Sequence, residues 1–278
     1  MIAVADLEIA FAEFDNRYAH DLIKTSLRDN GGVVIRSAIA PQRCAFYRDL
    51  ITKTHKILED KCAEEGFPVD RDDCAATSGN GWGEVAYHLS IGQLPPGMFE
   101  NVNTGFSIFD LISSFRFYRV MQNFFDGEFK ISPSAHTRRV SPHSVDQGKS
   151  WQEPVIWHFD AQYHRPQHFS LNFWVPLDDC GIDAPGLQII KGDHLKTQRF
   201  VQFDPDTGTF DTDRLKSINE NVFEYFDRDQ LFAPELRVGD IFVIHNWTLH
   251  QSLFREGMTK PRQSCELRVM QNDWTFPE

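Results

Sequence analysis

The spacing of apolar and polar residues changes character near Gly127. Upstream, apolar positions recur at helical intervals. The stretch "PQRCAFYRDLITKTHKILEDKCAEEG" opens on Pro41, which suits a first helical turn, and closes at Gly66. Within it Phe46, Leu50, Ile51, Ile57 and Leu58 fall roughly three and four residues apart, so it predicts a helix. The β-branched run at 33–35, entered through "DNGG", predicts a strand for that helix to pack on. A second helical stretch, "SIFDLISSFRFYRVMQNFF" at about 107–125, carries Phe115, Phe117, Phe124 and Phe125. It is too apolar for an exposed helix and is expected to support the core. Between the two helices, 70–96 is rich in Gly, Asp and Pro, including "SGNGWGE", and reads as an irregular or mobile loop.

Downstream, the pattern shortens to alternating runs separated by turn residues. Strands are expected at 129–131, 136–140, 155–159, 169–175, 187–190, 236–238, 241–245 and 265–270. Many short strands with Gly and Pro between them imply a mainly β sandwich or barrel, supported by the N-terminal helices. The acidic segment 204–234 interrupts the strands, and a loop of that length is expected to be a lid or binding loop. One domain over 1–278 is expected, with a helical part at about 1–126 and a β core at about 127–278.

Composition narrows the function. Hydrophobic residues are 41% of the chain and include 24 Phe, enough for a sizeable core. A net charge of -12 with no dense Lys/Arg run repels a phosphate backbone, so no nucleic-acid partner is expected. No uninterrupted apolar segment is long enough to span a bilayer, so no membrane partner is expected either. The start "MIAVADLEIAFAEFDNRYAH" has no basic region and carries Asp6, Glu8, Glu13 and Asp15, which argues against a secretory signal. The cysteines Cys44, Cys62, Cys74, Cys180 and Cys265 are scattered and form no CxxC pair, as in a reduced cytoplasmic protein.

The candidate chemistry starts at "VIWHFDAQYHRP". On a strand His158 and Asp160 point the same way, roughly 7 Å apart along the chain, and both can grip one ion. Alone, such a pair more often consists of ordinary polar strand residues. A second imidazole comes from "LRVGDIFVIHNWTLHQS", where Gly239 and Asp240 form a turn before an apolar strand. His245 and His250 follow; their spacing does not suit one strand face, so only one of them can serve. Two imidazoles and a carboxylate suit non-haem Fe(II), because positions stay open for substrates. In "PRQSCELRV", Arg262 and Ser264 project together and can hold a carboxylate. Arg138 and Arg139 lie on the strand before the first donors; one of them, taken as Arg139, is expected to meet a substrate or cofactor carboxylate.

Two other motifs compete. His158, Asp160 and His164, with His168 beyond, form a rival zinc set for hydrolysis, although Pro166 bends the chain there. "DPDTGTFDTD" superficially matches a calcium loop, but its glycine is misplaced and Leu215 stands where the closing glutamate belongs, so it reads as a solvated acidic turn.

The order of "GGVVIRSAIAP", "WHFD", "NFWVPLDD", "APGLQIIKGDH", "GDIFVIHNWTLHQS" and "KPRQS", from about Gly31 to Met270, resembles the phytanoyl-CoA dioxygenase family of Fe(II)- and 2-oxoglutarate-dependent oxygenases. The resemblance implies a double-stranded β-helix, a cupin-like jelly roll with the metal at one mouth. It implies His158, Asp160 and His250 as iron ligands and Arg262 as the partner of the distal 2-oxoglutarate carboxylate. Ser264 and Ser252 match assisting hydroxyls, and Trp174 matches a tryptophan that serves either the site or the core. "KGDH", 191–194, stands where the family usually has "PGSH" and is taken as a turn. The implied reaction consumes 2-oxoglutarate and O2, releases succinate and CO2, and oxidises a C–H bond of a small molecule. Asp160 stands where related halogenases carry Ala or Gly, which favours hydroxylation over halogenation. A monomer or homodimer is expected, and a jelly roll that binds without turnover is the non-enzymatic alternative.

Overall fold

Two sheets face each other, antiparallel except where β1 (Glu8–Ala10) pairs in parallel with β2 (Gly32–Arg36). The computed structural model describes residues 7–10, 17–64, 125, 129–131, 136–142, 155–163, 169–204 and 209–271. Their elements are β1 (Glu8–Ala10), α1 (Arg17–Asn30), β2 (Gly32–Arg36), α2 (Pro41–Glu64), β3 (Phe129–Ile131), β4 (His136–Val140), β5 (Ser170–Pro176), β6 (Gly186–Ile190) and α3 (His194–Val201). They continue with β7 (Phe203–Asp204), β8 (Thr209–Phe210), α4 (Thr212–Glu220), α5 (Val222–Tyr225), β9 (Leu231–Phe232), β10 (Ile241–His245), β11 (His250–Leu253) and β12 (Arg262–Gln271). The larger sheet runs β1-β2-β10-β5-β12-β3, with β4 also paired to β12; the smaller runs β11-β6-β9.

The period-2 alternation of strands sorts the side chains of the larger sheet into two faces. Val33, Ile35, Leu171, Phe173, Val243, Cys265, Leu267 and Val269 point outward and share one buried cluster with Ile23 and Leu27 of α1 and Cys44, Tyr47 and Ile51 of α2. The expected helix on a sheet is therefore present, but Phe46 is 62% exposed, because the buried stripe of α2 runs through Cys44, Tyr47 and Ile51. Val34, Trp174, Phe242 and Ile244 point inward and meet Leu187, Ile189 and Phe232 of the smaller sheet. This is the jelly-roll core expected of the chain. One corner of it requires glycine: Gly239 has φ +98°, and a Cβ there would lie 2.4 Å from the carbonyl oxygen of Ile39. Asp240 then accepts from the backbone N–H groups of Ser37 and Arg237 and pairs with Arg36, tying the β2–α2 corner to the start of β10.

Several expectations change. The run at 155–159 is extended but forms only a single bridge, at His158, and 236–238 contributes only a bridge at Leu236. The expected binding loop at 204–234 is largely helical in its described part, holding α4, α5 and a 3-10 turn at Arg228–Gln230. Its Ile218, Val222 and Phe226 pack with Trp157, Phe159, Ile190 and Trp247 in a third cluster. Asp211 caps α4 by accepting from the N–H of Arg214. Helix α1 and strand β11 were not anticipated. The expected helix at about 107–125, apart from Phe125, the loop at 70–96, His164 and His168 lie outside the described residues.

Candidate active site

A pair of backbones builds the site. His158 and His250 form an isolated antiparallel bridge, each N–H donating to the other's carbonyl oxygen at 3.0 and 2.9 Å. Directly opposed residues in such a bridge project to the same side with Cβ atoms about 5 Å apart, and the ring centroids here are 4.2 Å apart. The alternation in "WHFD" orients them. Phe159 stacks on Trp247 at 5.3 Å, and Trp157 meets Phe223 edge-on at 6.1 Å. These two aromatics anchor in the cluster beneath the insertion, which leaves His158 facing the other way.

Asp160 does not continue a strand. It opens a 3-10 turn, Asp160–Gln162, held by the N–H of Ala161 donating to Asn246 and that of Tyr163 donating back to Asp160. The turn still brings its carboxylate to the histidines: one donor atom from each of His158, Asp160 and His250 lies within 4.8 Å of the others. These are also the residue types that suit ferrous iron.

Electrostatics prepares the donors. Nδ1 of His158 faces the carbonyl oxygen of Ile156 at 2.8 Å, and Nδ1 of His250 faces that of Thr248 at 2.9 Å. A carbonyl can only accept, so each Nδ1 carries a hydrogen, which leaves Nε2 as the atom each ring can offer to a metal. Burial, together with the neighbouring His250, pushes His158 down to about 3, so it is neutral at ordinary pH. Burial alone would raise the Asp160 carboxyl, but the Arg268 charge and the hydrogen bond from Arg268 outweigh it and hold the acid below its ordinary range. Oδ1 accepts that bond at 2.7 Å, whereas Oδ2 is sealed from solvent without a hydrogen-bond partner. An orphaned buried carboxylate oxygen beside two free Nε2 atoms fits a cation.

Arg262, 1% exposed, is the largest fully buried side chain described. Its Nε donates to the Pro185 carbonyl at 3.0 Å, its Nη1 donates to Ser264 Oγ at 2.6 Å, and its guanidinium lies 4.9 Å over the Trp174 ring. Burial pushes it down to about 10. Among the described residues no carboxylate pairs with it, which fits an anionic ligand, since an uncompensated buried charge is costly. Trp174 packs in the interior cluster and lies under the Arg262 guanidinium. Ser252 is buried, and its hydroxyl accepts from the N–H of Val155, fastening β11 to the segment that carries His158.

The register corrects one expectation. Arg139 lies opposite Gln263, on the outward face, while Arg138 lies opposite Ser264 on the inward face and reaches Glu266 at 3.5 Å. A shift of one residue along a strand reverses the face. His245 is likewise outward, against Phe169 and His194 at 5.3 and 4.9 Å, so it is His250 that joins His158. Arg268 and Glu266 were missed. The signal for them was present: in "RQSCELR" every second residue from Arg262 is polar, inside a strand buried on both faces.

Known proteins bear out the architecture. EvdO2 from Micromonospora carbonacea var. aurantiaca, solved in complex with 2-oxoglutarate, is 16% identical with a TM-score of 0.52, over 92% of this chain and 93% of its own. The non-heme alpha ketoglutarate dependent carbocyclase SnoK of nogalamycin biosynthesis is 13% identical with a TM-score of 0.56, over 90% and 83%. EctD from S. alaskensis, solved with bound Fe, is 16% identical with a TM-score of 0.54, over 89% and 75%. Among curated proteins none matches the sequence. Residues 27–254 match the family model described as Phytanoyl-CoA dioxygenase (PhyH), and with that match covering most of its length the chain belongs to this family.

Proposed function

We propose that this chain is an Fe(II)- and 2-oxoglutarate-dependent dioxygenase that hydroxylates a C–H bond of a small-molecule substrate. The observation that carries the reading is the His158–Asp160–His250 donor cluster in the same barrel as the buried, carboxylate-free guanidinium of Arg262. Family membership and the bound 2-oxoglutarate and Fe of EvdO2 and EctD support it. Iron, when bound with 2-oxoglutarate and O2, supplies the oxidising chemistry, in which 2-oxoglutarate is broken down to succinate and CO2.

The chain's own residues bind, orient and exclude water. His158 and His250 offer Nε2, with the Nδ1 contacts to Ile156 and Thr248 setting the ring planes. Asp160 offers Oδ2. Arg262, fixed by Pro185 and Ser264 and backed by Trp174, takes the distal carboxylate of 2-oxoglutarate. The presence of the Asp160 carboxylate favours oxygen insertion over halogenation. Arg138, on the inward face, is the arginine of β4 placed to meet a substrate or cofactor carboxylate, and Arg139 is not.

A single catalytic domain, acting as a monomer or homodimer in the cytoplasm, completes the reading. Cys44, Cys180 and Cys265 support the compartment: they are buried free thiols, and burial raises the pKa of each. No helix among the described residues is long and apolar enough to cross a membrane.

The test is spectroscopic. Anaerobic addition of Fe(II) and then 2-oxoglutarate is expected to produce the weak visible charge-transfer band of the chelate. A metabolite screen with ascorbate is then expected to find substrates that trigger succinate release. Absence of the band, and of succinate with every substrate, would leave a binding module in place of an enzyme.

A further inference from the structure

The protein treats the two oxygens of Asp160 differently. Oδ1 is held at 2.7 Å by Nη2 of Arg268; Oδ2 is buried and has no hydrogen-bond partner. Arg268 stands on β12 opposite Asn172, on the inward face. Glu266, on the same face, approaches the same Nη2 at 3.6 Å and lies 3.5 Å from Nε of Arg138 on β4. Charges therefore alternate along the barrel wall in the order Asp160, Arg268, Glu266, Arg138. The least buried side chain of the four is 18% exposed, so solvent does little to weaken the chain.

A carboxylate has two equivalent oxygens and can engage a metal through either or both. Engagement through both would use a second coordination position and would let the side chain swing between modes. With Oδ1 occupied by a guanidinium, only Oδ2 is available. We propose that Arg268, steadied by Glu266, is a positioning residue that makes Asp160 a one-oxygen metal ligand. Coordination positions that a chelating carboxylate would fill are thereby left to the co-substrate and O2. This rests on the iron-binding reading above and assigns it a supporting pair that does not itself touch the ion.

The test uses the full-length protein with Co(II) alone, without 2-oxoglutarate or substrate, and compares R268M, R268K and E266Q with the native chain. Metal affinity comes from calorimetry, and the visible ligand-field spectrum reports the coordination of the ion. R268M is expected to weaken Co(II) binding roughly 10- to 100-fold and to shift the bands. R268K, which restores the charge without the planar fork, is expected to recover part of both. E266Q is expected to produce a smaller loss in the same direction.

A role confined to neutralising a buried acid would lower the melting temperature and leave the spectrum of bound Co(II) unchanged. Native affinity and bands in a folded R268M would overturn the proposal. Should R268M fail to fold, native affinity and bands in both R268K and E266Q would overturn it. Failure of the native chain to bind Co(II) at all would instead remove the metal reading on which the proposal stands.

Discussion

The two faces of β12 are both buried but differ in chemistry. Outward, Cys265, Leu267 and Val269 are at most 1% exposed and lie in the cluster covered by α1 and α2. Inward, Arg262, Ser264, Glu266 and Arg268 are at most 8% exposed and carry three charges. Burial of apolar surface stabilises a fold by about 25 cal/mol per Å², so the outward face accounts for itself. Buried charges return little net stability even when paired, so the inward face is not explained by folding. Its arrangement answers to ligands, and the two faces should respond to substitution in opposite ways.

The largest expected effect is on turnover. His250→Ala should abolish 2-oxoglutarate-dependent succinate formation and iron binding, whereas His245→Ala, on the outward face of β10, should retain both. Loss of iron binding in the His245 variant with retention in the His250 variant would reverse the assignment of faces.

Next comes stability. Phe173→Ala, fully buried in the outward cluster, should cost about 3 to 5 kcal/mol in denaturant unfolding. Its kcat per folded molecule should stay close to native. A fall in kcat larger than the fall in folded fraction would mean that the two faces are coupled.

Arg262→Met is the inward counterpart. Loss of a charged hydrogen-bonding group costs about 1.5 to 3 kcal/mol, so the KM for 2-oxoglutarate should rise about 10- to 100-fold while Fe(II) affinity stays unchanged. Because the change removes a buried charge without a described carboxylate partner, its cost in unfolding free energy should be far below that of Phe173→Ala.

The smallest effect concerns acid. Burial, with His194 nearby, lowers His245 from 6.5 to about 3. Below pH 6.5 the unfolded chain therefore takes up a proton that the folded chain refuses, so stability is full above that pH and falls as the pH drops toward 3. The slope from this one group is at most about 1.4 kcal/mol per pH unit. Urea midpoints at pH 7 and pH 5 should diverge less in His245→Asn than in the native protein; equal divergence would rule His245 out as a source.

Much of this was legible in the chain, and the failures have specific causes. The donors His158 and Asp160, the arginine and its serine, and the glycine turn into β10 were readable because each depends on residue type and short spacing. Strand alternation explains only half of the convergence of His158 and Asp160. His158 faces inward through its bridge to His250, while Asp160 does so from a 3-10 turn that period-2 alternation does not describe. The segment 204–234 looked like a loop because its acidic turns are conspicuous, while the apolar residues that seat it, Ile218, Val222 and Phe226, are sparse. Which of Arg138 and Arg139 faces inward depends on register with a strand more than 120 residues away, so neighbours in the chain do not encode it.

Local alternation, turn chemistry and residue type are properties of neighbours in the chain, so the amino-acid sequence alone determined which side chains could serve the chemistry and that a mainly β sandwich or barrel would carry them; the jelly roll itself followed from the family resemblance. Which face each residue occupies, which oxygen of Asp160 is spent on Arg268, and which of two histidines meets His158 were decided only in three dimensions. Those outcomes depend on pairing between segments distant in the chain, and a slip of one residue in any pairing would send a different set of side chains to the site.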